Sequence, residues 1–244
     1  MTRAFGRMRR TERGYTLAEL LVTVVLLSAL MLMVVQLTIT ISRNFTKDQA
    51  ASDNTRIASV GMNEVTRVIR SGTEIRVANQ ALNDPVFLAA TSESVTLRAY
   101  LDTNAASPAP IVVRFEVTPQ RTLVEKRWAA KAGTSPYWTF VNLPAAPFQT
   151  SNSFWTKASY QRLIASKITP YVKTGDPKLF RYYTKDNVEV VPPTTGTLTV
   201  DQLRSIASVT VTLSVQSDLT ARAQPTVIQN MVGIPNLGYS RIGA

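Results

Sequence analysis

The sequence predicts an α+β protein, with one long N-terminal helix whose second half packs on an antiparallel β-sheet. Three observations carry this. From Leu20 to Ser42 the chain runs 23 residues without a charge, long enough as a helix to span the ~30 Å hydrocarbon core of a bilayer. From Ser42 to Ser71 it turns polar but holds no proline, and apolar residues recur at spacings of three and four. Beyond Gly72 the apolar period switches to two, as in half-buried strands.

The first element is preceded by Arg3, Arg7, Arg9, Arg10 and Arg13 against one acid, Glu12. A short basic segment of this kind stays on the cytoplasmic side, so the chain enters the membrane with its N-terminus inside. A secretory signal peptide fits poorly, because its apolar region is shorter and ends at a small-residue cleavage site. Here the first small-residue cluster, Ala50-Ala51, lies well past the apolar run. A plain signal anchor fits length and charge bias but leaves Glu19, at the mouth of the run, without a role, and an acid in hydrocarbon is costly.

The stretch Arg13-Gly14-Tyr15-Thr16-Leu17-Ala18-Glu19 resembles the prepilin cleavage motif of the type IV pilin-like proteins: a basic leader ending in glycine, an aromatic residue, three mostly apolar residues, glutamate, then the hydrophobic helix. The resemblance implies that a membrane prepilin peptidase cuts after Gly14 and methylates the new amino terminus at Tyr15. It further implies that Glu19 pairs with the N-terminal amine of a neighbouring subunit during assembly. Tyr15 departs from the family's usual phenylalanine by a hydroxyl. An acid and an ammonium that are each expensive in hydrocarbon neutralise one another when paired. The expected organisation is a leader over 1–14, a transmembrane and filament-core helix over 15–42, and an exported pilin-like domain over 43–244 that includes the second half of the helix.

That second half is expected to present Ile57, Val60, Gly61, Val65, Val68 and Ile69 as one stripe and to stop at Gly72. Tyr15 to Arg70 is then 56 residues, about 84 Å of helix. Val95, Leu97, Ala99 and Leu101 alternate with Thr96, Arg98, Tyr100 and Asp102, giving a half-buried strand. IVVRFEV and TLVEKRW, separated by Thr118-Pro119-Gln120-Arg121, form a hairpin. Residues 129–153 are expected to be long connections, followed by a short helix near Trp155 to Ile168. Leu179 to Tyr183 pairs with Val188 to Val191 across a polar turn. Leu203 and Ile206 close a helical turn that feeds a strand through Val209, Val211, Leu213 and Val215, and a last strand covers Val227 to Val232. This order is similar to that of J-type minor pseudopilins and PilW-like minor pilins.

Composition bounds the chemistry. The chain has no histidine and no cysteine, which removes the commonest general base, thiol nucleophiles and thiolate metal sites. Asp84, Glu93, Asp102, Glu116, Asp176 and Asp186 show no spacing that singles out a catalytic pair, and Asp176 with Asp186-Asn187 lacks the ligand number of a calcium loop. The reading is a non-enzymatic chain without cofactor or metal. Of the formal charge of +11, four units belong to residues 1–14, leaving +7 on scattered positions. The string KLFRYYTK, Lys178 to Lys185, has the composition to stack on single-stranded DNA, but alternating aromatics in a strand are better explained by a core. The expected partners are the prepilin peptidase, other pilin or pseudopilin subunits, an assembly platform and the membrane. The alternative is a single-pass surface binding protein that does not polymerise.

Overall fold

The computed structural model describes residues 15–76, 78–79, 82–101, 108–141, 143, 157–169, 177–217, 224–235 and 237. The chain divides into two compact units, Met1–Gln49 and Ala50–Ala244. Helix α1 (Leu17–Arg70) runs through the division without a proline. In its first part, residues 17–49, no residue is buried, and the helix includes a stretch long and apolar enough to cross a membrane.

In the second unit the α1 residues Asn54, Ala58, Gly61, Met62, Val65, Thr66, Val68 and Ile69 are buried. The apolar stripe is thus as expected apart from Val60, with Ile57 packed at its edge. Val60 is 60% exposed, because the helix turns Ala58 and Met62 inward, and its own position falls between them on the far side. Gly61 lies where the chain is tightest: a Cβ there would sit 3.1 Å from Ala165 Cβ and 3.3 Å from Leu213 Cδ1.

Two antiparallel sheets cover this stripe. The first is a meander of β1 (Phe87–Ala90), β2 (Ser94–Ala99), β3 (Ile111–Val117), β4 (Leu123–Ala129) and β5 (Tyr160–Ala165), in that order. The second contains β6 (Phe180–Tyr183), β7 (Glu189–Val190), β8 (Ser208–Val215) and β9 (Thr226–Gly233), ordered β7-β6-β8-β9, with the short helix α2 (Val200–Ser205) leading into β8. Thr199 and Gln202 form a reciprocal capping box at the start of α2. The hairpin between β3 and β4 is as expected, closed by a 2.8 Å bond from Thr118 N to Thr122 O, with Arg121 at φ 59°.

One hydrophobic core joins helix and sheets, with Val65 and Ile69 of α1, Val95, Leu97 and Phe115 of the first sheet, and Phe180, Tyr182, Val211 and Leu213 of the second. The sheets are also stitched by polar bonds. Arg121 Nε donates to Ile168 O at 2.7 Å, and its Nη2 reaches Lys167 O and Gln216 O. On the other side, the Tyr182 hydroxyl donates to Thr91 O at 2.8 Å, and Phe180 N to Ser92 O at 3.0 Å.

Several expectations are corrected. β2 is buried along its whole length rather than on alternate residues. Its outer face belongs to a sheet side that other chain covers: Leu88, Val112 and Trp128 form a second apolar cluster under Phe140, Leu143 and Ala158. The strand ends at Ala99, so Leu101 lies past it, and Asp102 lies outside the described residues. The short helix expected near Trp155 to Ile168 is instead strand β5, with Trp155 itself outside the described residues. β4 offers an open row of backbone donors and acceptors there, and pairing with it satisfies the groups that a short isolated helix would leave at its ends. β1 was not anticipated, since FLAA has no alternation and all four residues are buried.

Candidate functional site

The residues that carry the functional reading sit at the start of α1. Gly14 lies outside the described residues. Tyr15 is 83% exposed and precedes the helix. Thr16 begins it: its carbonyl accepts from Leu20 N at 3.1 Å, and its Oγ1 accepts from Glu19 N at 3.3 Å. Thr16 therefore caps the helix, and Glu19 stands at the third helical position, with its carboxylate near the positive end of the helix dipole. Among the described residues no cation pairs with Glu19. Threonine followed three residues later by glutamate is a helix-start signature, so the local role of Thr16 was visible in the sequence and was missed.

Past Glu19 the polar side chains of the apolar run are few. Thr23, Ser28, Thr38 and Thr40 each donate their hydroxyl to a carbonyl three or four residues earlier in the same helix, at 2.8–2.9 Å. The helix thus presents hydrocarbon on every side, apart from Glu19 at its start and Gln36 further on.

The other candidate residues lie in the second unit. Of the string KLFRYYTK, Phe180 and Tyr182 are fully buried and belong to the core. Arg181 is held by Glu189 at 2.6 Å and lies over the Tyr183 ring. The aromatics are committed to packing and the arginine to an ion pair. Two of the acids are similarly committed: Asp84 pairs with Arg98 at 2.8 Å, and Glu116 with Arg114 at 2.6 Å and with Lys126. Burial pushes the Glu116 carboxyl up, but the Arg114 charge and the hydrogen bonds from Lys126 and Arg114 outweigh it and hold the group below its ordinary value. Asp102 and Asp176 lie outside the described residues. A cavity of about 550 Å³ beside Glu116 is lined by Thr91, Ser94, Lys178 and Thr194 among others, and mixes both signs of charge.

Residues 9–35 match the prokaryotic N-terminal methylation motif. The chain carries a pilin-type N-terminus. The match begins in the basic segment and ends inside the apolar run, taking in Gly14, Tyr15 and Glu19. It supports a type IV pilin-like protein with a structural rather than an enzymatic role, and the long helix packed on antiparallel sheets agrees with a pilin-like architecture. Comparison with curated proteins finds no match.

Proposed function

We propose that the chain is a minor pilin or pseudopilin, a structural subunit of a type IV pilus or type II secretion-type filament. Residues 1–14 are its leader, 15–42 its membrane and filament-core helix, and 43–244 its exported domain. The prepilin peptidase cuts after Gly14 and methylates Tyr15. An assembly platform then draws the subunit from the cytoplasmic membrane into the filament, where Glu19 meets the N-terminal amine of a neighbouring pilin. The observation that carries this reading is the methylation motif over residues 9–35 with one carboxylate, Glu19, ahead of 23 charge-free residues.

A second reading has its own support. The bond from Glu19 N to Thr16 Oγ1 places Glu19 in a helix start, a role that a surface binding protein with a simple membrane anchor would use equally well. Glu19→Gln separates the two, because glutamine serves a helix start nearly as well but carries no charge to offer an ammonium. In cells with an intact peptidase and the other pilins, the wild-type chain is expected to begin at methylated Tyr15 by mass spectrometry. Glu19→Gln is expected to be cut normally yet recovered with partner pilins about tenfold less. A chain that keeps residues 1–14 in such cells overturns the pilin reading. Equal recovery of partners by Glu19→Gln leaves the carboxylate only its place near the positive end of the helix dipole.

A further inference from the structure

We propose that Gln36 is the pairing position of a parallel contact between two copies of this chain, formed by the apolar part of α1 while it lies in the membrane. The proposal rests on the membrane-spanning reading above and goes beyond it by naming the residue, the face and the partner.

The reasoning starts from hydrogen bonds. Between Leu20 and Ile41 the polar side chains are Thr23, Ser28, Gln36, Thr38 and Thr40. All four hydroxyls are spent on the helix's own carbonyls, and that of Thr40 goes to the backbone oxygen of Gln36 itself at 2.8 Å. Among the described residues the Gln36 amide has no such partner. In hydrocarbon an unsatisfied amide is costly, because lipid chains offer it neither donor nor acceptor. The first charged residue beyond it, Arg43, is seven residues on, about 10 Å of helix rise, and helical side chains lean toward the N-terminal end, which points the Gln36 amide away from that interface and back toward the hydrocarbon.

The chemistry of the group selects its partner. A primary amide carries two N–H donors and a carbonyl acceptor, so two facing amides exchange two hydrogen bonds. The basic residues ahead of the apolar run orient every copy the same way. Identical residues of two copies therefore lie at the same depth, and a two-fold axis along the membrane normal brings Gln36 against Gln36 with no axial offset. The surrounding surface suits a close approach. Ala29, Leu32, Met33, Gln36 and Thr40 share one side of the helix, and Leu32, Met33, Gln36, Leu37 and Thr40 line a shallow concavity there. Ala29 is small enough to let backbones near one another, and Met33 is adaptable. Helical stacking in a filament displaces neighbours along the axis and takes Gln36 away from its copy. The pair therefore belongs to the stage before assembly, a reservoir in the bilayer.

The chain has no cysteine, so single introduced cysteines report the contact. The full-length chain is expressed alone, in a host without other pilins, and membranes are oxidised. Met33→Cys, on the Gln36 face, is expected to give a disulfide dimer of the chain, whereas Val34→Cys, on the opposite face, gives little. Adding Gln36→Leu to Met33→Cys is expected to lower the dimer yield roughly three- to tenfold, and Gln36→Asn to lower it less. Equal cross-linking at 33 and 34, no effect of Gln36→Leu, or adducts with other proteins only, each overturns the proposal. Alkaline extraction of the same membranes keeps the two readings apart. A chain released into solution defeats the membrane span itself, while a chain retained without face-specific dimers defeats only the pairing.

Discussion

At Gly72 a single hydrogen atom decides whether the backbone fits. A Cβ there would lie 2.8 Å from Val86 Cγ1 and 2.9 Å from the carbonyl oxygen of Ile69. The helix stops just ahead of this residue as expected, at Arg70, with the last turn closed by a bond from Gly72 N to Ile69 O, and the structure also uses the glycine for close approach beside a bridge to Ala99. Gly72→Ala is expected to destabilise the second unit by about 2–3 kcal/mol, since a backbone oxygen cannot turn aside as a side chain does. Gly61→Ala is the contrast: its contacts at 3.1 and 3.3 Å are with side chains that yield slightly, and alanine gains about 1 kcal/mol of helix propensity. The two effects nearly cancel, so its melting temperature should stay close to wild type while that of Gly72→Ala falls by several degrees. Glu116 supplies a prediction in pH. Its folded pKa lies below its unfolded value, so its contribution is fully present above the ordinary carboxylate range and is lost as pH falls through the folded value. Wild type should therefore lose more stability than Glu116→Gln between about pH 4.5 and 3, measured by denaturant titration at each pH, and parallel losses would remove Glu116 from the acid response.

Among the elements, β5 draws its place from both hydrogen bonds and charge. Glu125 of β4 is fully buried, yet Arg127 reaches it at 2.6 Å and Arg162 of β5 at 2.5 Å. Arg162 also bridges to Glu64 of α1, which Arg67 holds at 2.5 Å, so helix, β4 and β5 are tied by one network. Removing the buried member takes the closest acid from both arginines and leaves them to share Glu64. Glu125→Ala is expected to cost about 2–3 kcal/mol, less than the ~3–5 for a fully buried pair, because both guanidiniums keep Glu64 and some access to water. A loss under half a kilocalorie in urea unfolding would show that they rehydrate freely. This network also explains what was legible. Residues 111–129, 179–191 and 203–215 state their strands and turns openly, because alternation and turn chemistry are local. In YQRLIA, Tyr160, Leu163 and Ile164 sit at helical spacing, and what makes the segment a strand is β4 some 35 residues earlier, which no window can see. β1 was hidden for a related reason: burial on both faces erases the alternation that announces a strand. The candidate site is the opposite case. Gly14, Tyr15 and Glu19 are read in a few contiguous residues, whereas the cap at Thr16 was passed over because the leader motif already explained the glutamate.

At the scale of the whole molecule, charge and core point to one cooperative second unit. The basic residues are scattered in sequence, but in the second unit many are spent internally, as in Arg98 with Asp84, Arg114 with Glu116, and Arg181 with Glu189. The net positive charge is therefore no measure of a surface built for polyanions. The two sheets and the second half of α1 share a single core, and Arg121 adds three bonds to carbonyls across the join between the sheets. The compact unit begins at Ala50, and nothing from 17 to 49 is buried. A fragment starting near residue 45 uncovers no core when the apolar run is removed, and it retains the stripe from Asn54 to Ile69 that the sheets need. It is expected to be soluble, monomeric and folded, and to unfold in one transition seen alike by circular dichroism and by tryptophan fluorescence, since Trp128 is fully buried in the first sheet. Two separated transitions would mean that the sheets are independent folding units despite the shared core. Starting the fragment instead at Ser71 removes the helix stripe altogether and exposes the inner faces of both sheets, so that shorter fragment should aggregate. If it folds as well as the longer one, the helix is an accessory to the second unit rather than its centre.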